Sequence, residues 1–343
     1  MSTVLQLRRG TMAEWSAANP VLAQGEPGYA IDARIIKVGD GATRWGDLPS
    51  ISAVQDAAML NLAAIGDPGP AAPGRLTLYA KAIGGRGFAK MMGPSGLDTA
   101  LQPFLARNKI GLYSPLGNST AANLAGAYIG PSATGAVTAR NVGTANLFQR
   151  MRRLGVVSAA TAGAVAGLRI NAAAQISVGG DQLGSGFFKE IRFGISDPVP
   201  VSGARMFVGI SYWTSTQTNV DPYAQANLIG LGHGEADTNF KIFWGGSVPQ
   251  PPIDLGANFP CNTSGVDVYD LSLFAPPGAG IVHYEVARLN TGHVATGTLS
   301  GPPGIALPGQ TTLLSYQYAW RSNHTTAASV AWDIMSDYVE TDF

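Results

Sequence analysis

The four histidines, His233, His283, His293 and His324, are the first residues to weigh for metal or acid–base chemistry, and their spacing supports neither. No His-Glu-X-X-His or other close histidine pair occurs, so metalloprotease chemistry has no support, and no Gly-X-Ser-X-Gly elbow is present. Glycoside hydrolysis needs two carboxylates at a set separation, one of them held protonated. Glu235, Asp237, Asp254, Asp267 and Asp270 could supply such a pair in space. The chain lacks, however, the many short repeats of the long parallel β-helix on which processive depolymerases are usually built. His233-Gly234-Glu235-Ala236-Asp237 offers oxygen atoms to Ca²⁺ but not the carboxylate density of a dedicated calcium loop, so it reads as a solvated loop and no metal is expected. Gly93-Pro94-Ser95-Gly96 precedes a short helical stretch without the Gly-Lys-Ser/Thr ending of a phosphate cradle, and reads as a turn. No catalytic set and no cofactor are expected.

The same stretch of chain is better furnished for recognition. Saccharide binding combines an aromatic face with amide, hydroxyl and carboxylate groups that fix the sugar hydroxyls. Tyr212, Trp213 and Tyr223, then His233, Glu235, Asp237 and Asn239, and later Arg321, Asn323 and His324 fall in segments that read as loops between strands. These ten are the binding candidates. Trp244, Trp320 and Trp332 sit within strand-like runs and are assigned to the core or to a subunit interface. Arg150, Arg152 and Arg153 form a basic cluster that could meet acidic lipopolysaccharide, and the preferred reading is a solvated or intersubunit set.

Composition narrows the partners. Of 343 residues, 22 are Lys or Arg and 22 are Asp or Glu, so no field of one sign recruits nucleic acid or an anionic membrane. Charged residues make up 13%, about half of the ~25% usual for a soluble domain. Gly, Ala, Ser, Thr and Asn take their place, a surface suited to subunit contacts and sugar-like ligands. Cys261 is the single cysteine, which excludes an intrachain disulfide, a thiol redox pair and a zinc finger. No apolar run is long enough to span a bilayer, and no apolar leader segment is recognised, so assembly in the cytoplasm is expected.

Positioning these residues takes a mostly β chain in four parts. In residues 1–50, a first strand leads to Thr11, an N-cap with Glu14 three positions on, and to a short helix that Asn19-Pro20 stops. Turns at 25–28 and 39–41 flank an extended Arg34 to Val38, with Trp45 placed to cover the hairpin. So small a module has little core, and threefold intertwining would remedy that. In residues 51–74, Ile51, Val54, Ala58, Leu62 and Ile65 suit a short helix, either amphipathic or a brief trimeric coil, before the Pro- and Gly-rich linker 67–74. Residues 75–139 read as a neck: a strand over 75–81, a turn at 84–87, and a turn with a short helix after Gly93. Residues 140–343 read as all-β, with strands at 205–210, 240–244, 269–273 and 330–339 and a hairpin turn at Asn290-Thr291-Gly292. Val282, Tyr284 and Val286 share one face there. Residues 144–155 fit either a Thr144-capped helix or a strand feeding Val156-Val157. Turns about every ten residues are the rhythm of a sandwich or jelly roll.

The words Leu5-Gln6-Leu7-Arg8-Arg9-Gly10-Thr11, Gly25-Glu26-Pro27-Gly28-Tyr29, Lys37-Val38-Gly39-Asp40-Gly41 and Trp45-Gly46-Asp47-Leu48-Pro49 resemble the N-terminal module of tailed-phage receptor-binding proteins named after the major tropism determinant. Residues 93–104, 254–260, 269–277, 287–292, 320–323 and 338–342 are similar to central and C-terminal parts of tail-fibre proteins from phages of Gram-negative bacteria. Tyr212 and Trp213 depart from the small polar residues such chains carry after the Met-Phe-Val-Gly strand. The resemblance implies a non-enzymatic, homotrimeric tail fibre carried on the virion. Its N-terminal module would attach to tail or baseplate, and a lectin-like sandwich tip would bind a bacterial surface glycan or an outer-membrane or pilus protein. The alternatives are a structural tail or baseplate component without receptor binding and a tail-associated polysaccharide hydrolase.

Overall fold

The computed structural model describes residues 7–51, 61–94, 96, 98–100, 109–113, 132–170, 176–179, 186–276 and 278–341. The chain divides into two compact units, Met1–Leu62 and Ala63–Phe343.

In the first unit, β1 (Arg8–Gly10) runs parallel to β2 (Pro27–Ala30), which forms an antiparallel hairpin with β3 (Ile35–Val38), and β4 (Ser50–Ile51) closes the sheet. Between β1 and β2, α1 (Met12–Ala18) starts as the sequence dictates: Thr11 caps the Glu14 N–H and the Glu14 carboxylate returns to the Thr11 N–H at 2.7 Å. Asn19 ends it in the left-handed region. The core is a stack of two indoles, Trp15 on Trp45 with centroids 4.0 Å apart, packed with Leu22, Ala30 and Leu48. A Cβ on Gly28 would stand 2.6 Å from Trp45 and 3.0 Å from Trp15, so only glycine lets the stack reach the sheet. Arg34 departs from the expectation. It turns at φ 55°, outside the strand that begins at Ile35.

The second unit is a two-sheet sandwich. The first sheet, in spatial order, contains β10 (Ala136–Ala139), β11 (Leu154–Val157), β22 (Ala331–Thr341), β13 (Phe187–Ile195), β18 (Tyr269–Ala275), β19 (Ile281–Arg288) and β20 (His293–Ser300), with β8 (Lys109–Tyr113) also paired to β22. The second contains β17 (Ile253–Asp254), β16 (Lys241–Gly245), β15 (Leu228–His233), β14 (Arg205–Ser211), β21 (Ser315–Ser322), β12 (Val165–Arg169) and β9 (Ser132–Thr134). Alternate residues of both sheets interdigitate: Phe187, Ile191 and Phe193 from β13, Val282, Tyr284 and Val286 from β19, and Met206, Val208 and Ile210 from β14 lie in one core. The other face of the second sheet is also apolar. Phe207, Phe243, Tyr318 and Trp320 form a smaller cluster there, under the segment 212–227, whose Gln217 bonds the Ala319 carbonyl and whose Tyr223 ring meets Phe243 edge-on.

A second hairpin, β5 (Thr77–Ile83) and β6 (Arg86–Met92), extended by β7 (Asp98–Ala100), packs on the outer face of the first sheet. Gly84 donates to Glu285, Phe88 meets Phe188 edge-on, and Arg86 pairs with Glu340. The expected helix at 51–65 is corrected at both ends: Ile51 lies in β4, and Ala64 and Ile65 bond to Ala80 in extended chain. Residues 52–60 lie outside the described residues. In the segment read as a stiff linker, Asp67 pairs with Lys81 at 2.6 Å and the Ala71 N–H bonds the Gly93 carbonyl at 3.2 Å. Residues 98–100, expected near a helix, are a strand, and 101–108 lie outside the described residues. Both readings of 144–155 hold in part: α2 (Leu147–Arg150) is capped by Asn146 and not Thr144, and Leu154 begins β11. Of the arginine cluster, Arg153 is buried against Asp333 at 2.9 Å, while Arg150 and Arg152 are exposed.

Gly28→Ala is expected to lower the stability of the first unit by about 1–3 kcal/mol through overpacking. Amide hydrogen exchange will quicken in residues 7–51 and stay unchanged in the sandwich core.

Candidate functional site

Eight of the ten candidate residues gather at one end of the sandwich, where β14 begins, β15 and β21 end, and the loop 234–240 turns. Beneath that end lies a buried charge cluster. Arg321 donates to Asp197 through Nε at 3.0 Å and Nη2 at 2.5 Å, and the Ala331 N–H reaches the same carboxylate at 2.7 Å. Arg321 Nη1 also lies 2.8 Å from His233 Nε2. A guanidinium can only donate, so Nε2 accepts and Nδ1 carries the proton, donated to the Gly234 carbonyl at 3.0 Å. Burial first, and then the Arg321 charge, push the His233 pKa down to about 3, so the imidazole is neutral. Cys261 beside it donates to the Asp237 carbonyl, and burial raises its thiol to about 11. Above these groups opens a cavity of about 410 Å³, lined also by Ser202, Glu235, Asp237, Asn262 and Ser264.

The rim is a network of fixed charges. Glu235 accepts from Arg205 at 3.0 Å and lies 2.6 Å from His324 Nε2, with His324 held at φ 51°. Asp237 accepts from the Gly234 N–H at 2.7 Å, the Tyr223 hydroxyl at 3.0 Å and Lys241 at 2.8 Å. Burial opposes its ionisation, yet these three bonds outweigh burial and hold its pKa below the usual carboxylate range. Asn239 bonds Asp254 at 3.3 Å. Asn323 is fully buried, tying the carbonyls of Thr161 and Ala328 together. His233, Arg321 and Asn323 therefore build the frame, and Tyr223, Glu235, Asp237, Asn239 and His324 present the surface.

Tyr212 and Trp213 stand apart, at the far end of β14, about 20 Å away at ~3.4 Å per residue. The two residues are 54% and 46% exposed. The backbone beneath is held by the Tyr212 N–H to Asn227 at 2.9 Å, and the indole N–H reaches the Ala226 carbonyl at 3.3 Å. Such an edge-tethered, half-open aromatic pair can stack on the apolar face of a ring without ordering new backbone. Trp320 and Trp332 are core residues, and Trp244 packs half-buried against the core. Asp197, Arg205 and Lys241, which organise the polar end, escape sequence reading because single charged residues far apart in the chain carry no spacing signal.

The five carboxylates weighed for hydrolysis each meet a cation: Glu235 with Arg205, Asp237 and Asp254 with Lys241, Asp267 with Arg288, and Asp270 with Arg192.

The N-terminal unit supplies the sharpest comparison, because its capped helix, its hairpin and the turn at 39–41 fall within one stretch. Residues 5–43 match the family model of the major tropism determinant N-terminal domain. The rest of the chain lies outside that match. No curated protein matches the chain. Among solved structures, it is similar to peanut lectin at 10% identity, covering 67% of this chain and 95% of that one, with a TM-score of 0.43. It is similar to a protein of unknown function from Shewanella oneidensis MR-1 at 12% identity, covering 69% and 88%, with a TM-score of 0.40. Lectin II from Ulex europaeus shows 12% identity over 62% and 93%, with a TM-score of 0.40.

Two outcomes test the polar end. Arg321→Ala strands the Asp197 carboxylate and is expected to cost about 3–5 kcal/mol in denaturant melts, as breaking a buried pair does. His233 binds its proton far more weakly folded than unfolded, so its contribution is complete above about pH 6.5 and is lost as pH falls toward 3. His233→Asn will flatten the fall in melting temperature across that window.

Proposed function

We propose that the chain is a homotrimeric phage tail fibre whose sandwich attaches the virion to its host. The observation that carries this reading is the match of residues 5–43 to the major tropism determinant N-terminal domain, in a unit separate from a much larger sandwich. The N-terminal unit docks on the tail or baseplate. The sandwich binds a bacterial surface glycan or surface protein without chemical change to it. The exposed Tyr212–Trp213 pair supports this reading, as does the pairing of the five weighed carboxylates with cations. Three weak sites per fibre and several fibres per virion raise the effective concentration, so a shallow surface suffices for firm adsorption.

The test is binding of labelled full-length protein to susceptible cells, with Tyr212→Ala/Trp213→Ala beside it. Removing two exposed anchor aromatics costs about 2 kcal/mol or more at a recognition hot spot. We expect at least a thirtyfold loss of affinity in the double variant with an unchanged melting temperature. Absence of binding by trimeric wild-type protein leaves a purely structural tail component as the reading.

A further inference from the structure

The β5–β6 hairpin leaves a second cavity against the outer face of the first sheet, reaching to the β19–β20 turn. Its volume is about 370 Å³, within the range of about 300–1,000 Å³ typical of small-molecule clefts. The hairpin is pressed close at its tip, where Gly84 and Gly85 turn at φ 53° and 80°. A Cβ on Gly84 would lie 3.3 Å from Ser272, and one on Gly85 3.0 Å from His283. The wall is therefore fixed.

The floor comes from strand alternation. Glu190 of β13, Ser272 of β18 and Glu285 of β19 are successive partners across three strands, and Arg192 pairs with Asp270 one step along. Their other-parity neighbours fill the core, so all five point outward. Most are already oriented: Arg192 grips Asp270 through two bonds of 2.7 Å, Glu285 accepts from Gly84 at 3.0 Å, and Lys81 is held by Asp67 at 2.6 Å. Glu190 is the exception. It lies in the cavity wall under the attraction of Arg192 and Lys90 but makes none of the bonds that orient its neighbours. Half-buried in the cavity wall, that carboxyl keeps hydrogen-bonding capacity open to water or to a ligand in the groove.

We propose that this groove is a second binding site, built for a small neutral saccharide. The lining balances Asp67, Glu190, Asp270 and Glu285 against Lys81, Lys90, Arg192 and Arg288, so a charged ligand of either sign meets like charge. A sugar hydroxyl both donates and accepts, and it finds here a guanidinium and a serine hydroxyl as donors with carboxylate oxygens as acceptors. Ile83, Ala287, Leu289 and Val294 supply the apolar surface for the ring. Burial, followed by the Asp270 charge, raises Glu190 to about 7, against the opposing effect of Arg192 and Lys90 and with a smaller push from Glu285. Tyr338 of β22 is its partner on the other side. Near neutrality Glu190 is therefore a donor as well as an acceptor. Covering it with a ligand deepens its desolvation, so binding takes up a proton. The site stands independently of whether the Tyr212–Trp213 surface binds a host.

The experiment is saturation-transfer NMR and calorimetry on the full-length chain, with lactose, cellobiose and N,N′-diacetylchitobiose as neutral probes and cellobiouronic acid and chitobiosamine as charged ones. We expect at least one neutral disaccharide to bind in the millimolar range or tighter and better than either charged probe. Binding should weaken from pH 6 to pH 8. Glu190→Gln should keep binding at pH 6 and remove that pH dependence. Val294→Trp, a substitution at an exposed rim position, and Ser272→Val should each weaken binding tenfold or more, while Tyr212→Ala/Trp213→Ala leaves it unchanged. Preference for a charged probe, failure of all three neutral probes, or binding indifferent to Val294→Trp and Glu190→Gln would overturn the proposal.

Discussion

Lys189 and Asp337 meet at 2.5 Å inside the core, between the two sheets, with Gln317 completing the cluster from the opposite sheet at 2.8 Å. Burial lowers the lysine pKa and raises that of the aspartate, and each partner's charge opposes the change. Such a pair adds little net stability, because desolvation offsets most of the attraction. It is strict about position, however. Lys189 sits on β13 opposite Val339 of β22, and a slip of one residue would turn either charge to the other face of the sheet. β22 pairs with β11, β13 and β8, so the register fixed there propagates across the first sheet.

The second sheet has a different problem: both of its faces are apolar. The inner face is covered by the first sheet, and the outer face must be covered by something else. The segment 212–227 meets that need, pinned by Gln217, Tyr223 and Arg169, whose guanidinium donates to the Thr214 carbonyl and Thr216 hydroxyl. Because this cover runs from one end of the sheet to the other and back, it delivers Tyr212 and Trp213 to one end and Tyr223 to the opposite one. The separation of the candidate residues is thus a by-product of burying Phe207, Phe243, Tyr318 and Trp320.

Charges in this sparsely charged chain are mostly committed to architecture. Asp197 with Arg321, Asp333 with Arg153 and Arg140, and Asp267 with Arg288 all join segments distant in sequence. Against that background, the half-buried Glu190 carboxyl, in the wall of the groove beneath the hairpin, is not tied into such a join.

Local features were legible in the sequence because they depend on neighbours in the chain. The capping box at Thr11 and Glu14, the alternation of Val282, Tyr284 and Val286, the turn at Asn290-Thr291-Gly292 and the core role of Trp320 and Trp332 rest on periodicity and turn chemistry that a few residues settle among themselves. The N-terminal resemblance was likewise carried by contiguous words. What the sequence left undecided depends on contacts between remote segments. His233 and Arg321 look like loop ligands in the sequence, yet they turn inward, because their parity on β15 and β21 and the distant Asp197 decide which face they take. Glu190 carried no signal at all, since its neighbours Ser272, Glu285 and Lys90 come from three other strands. Strand order and register set those distances, and both follow from how two sheets bury their apolar faces rather than from any local rule.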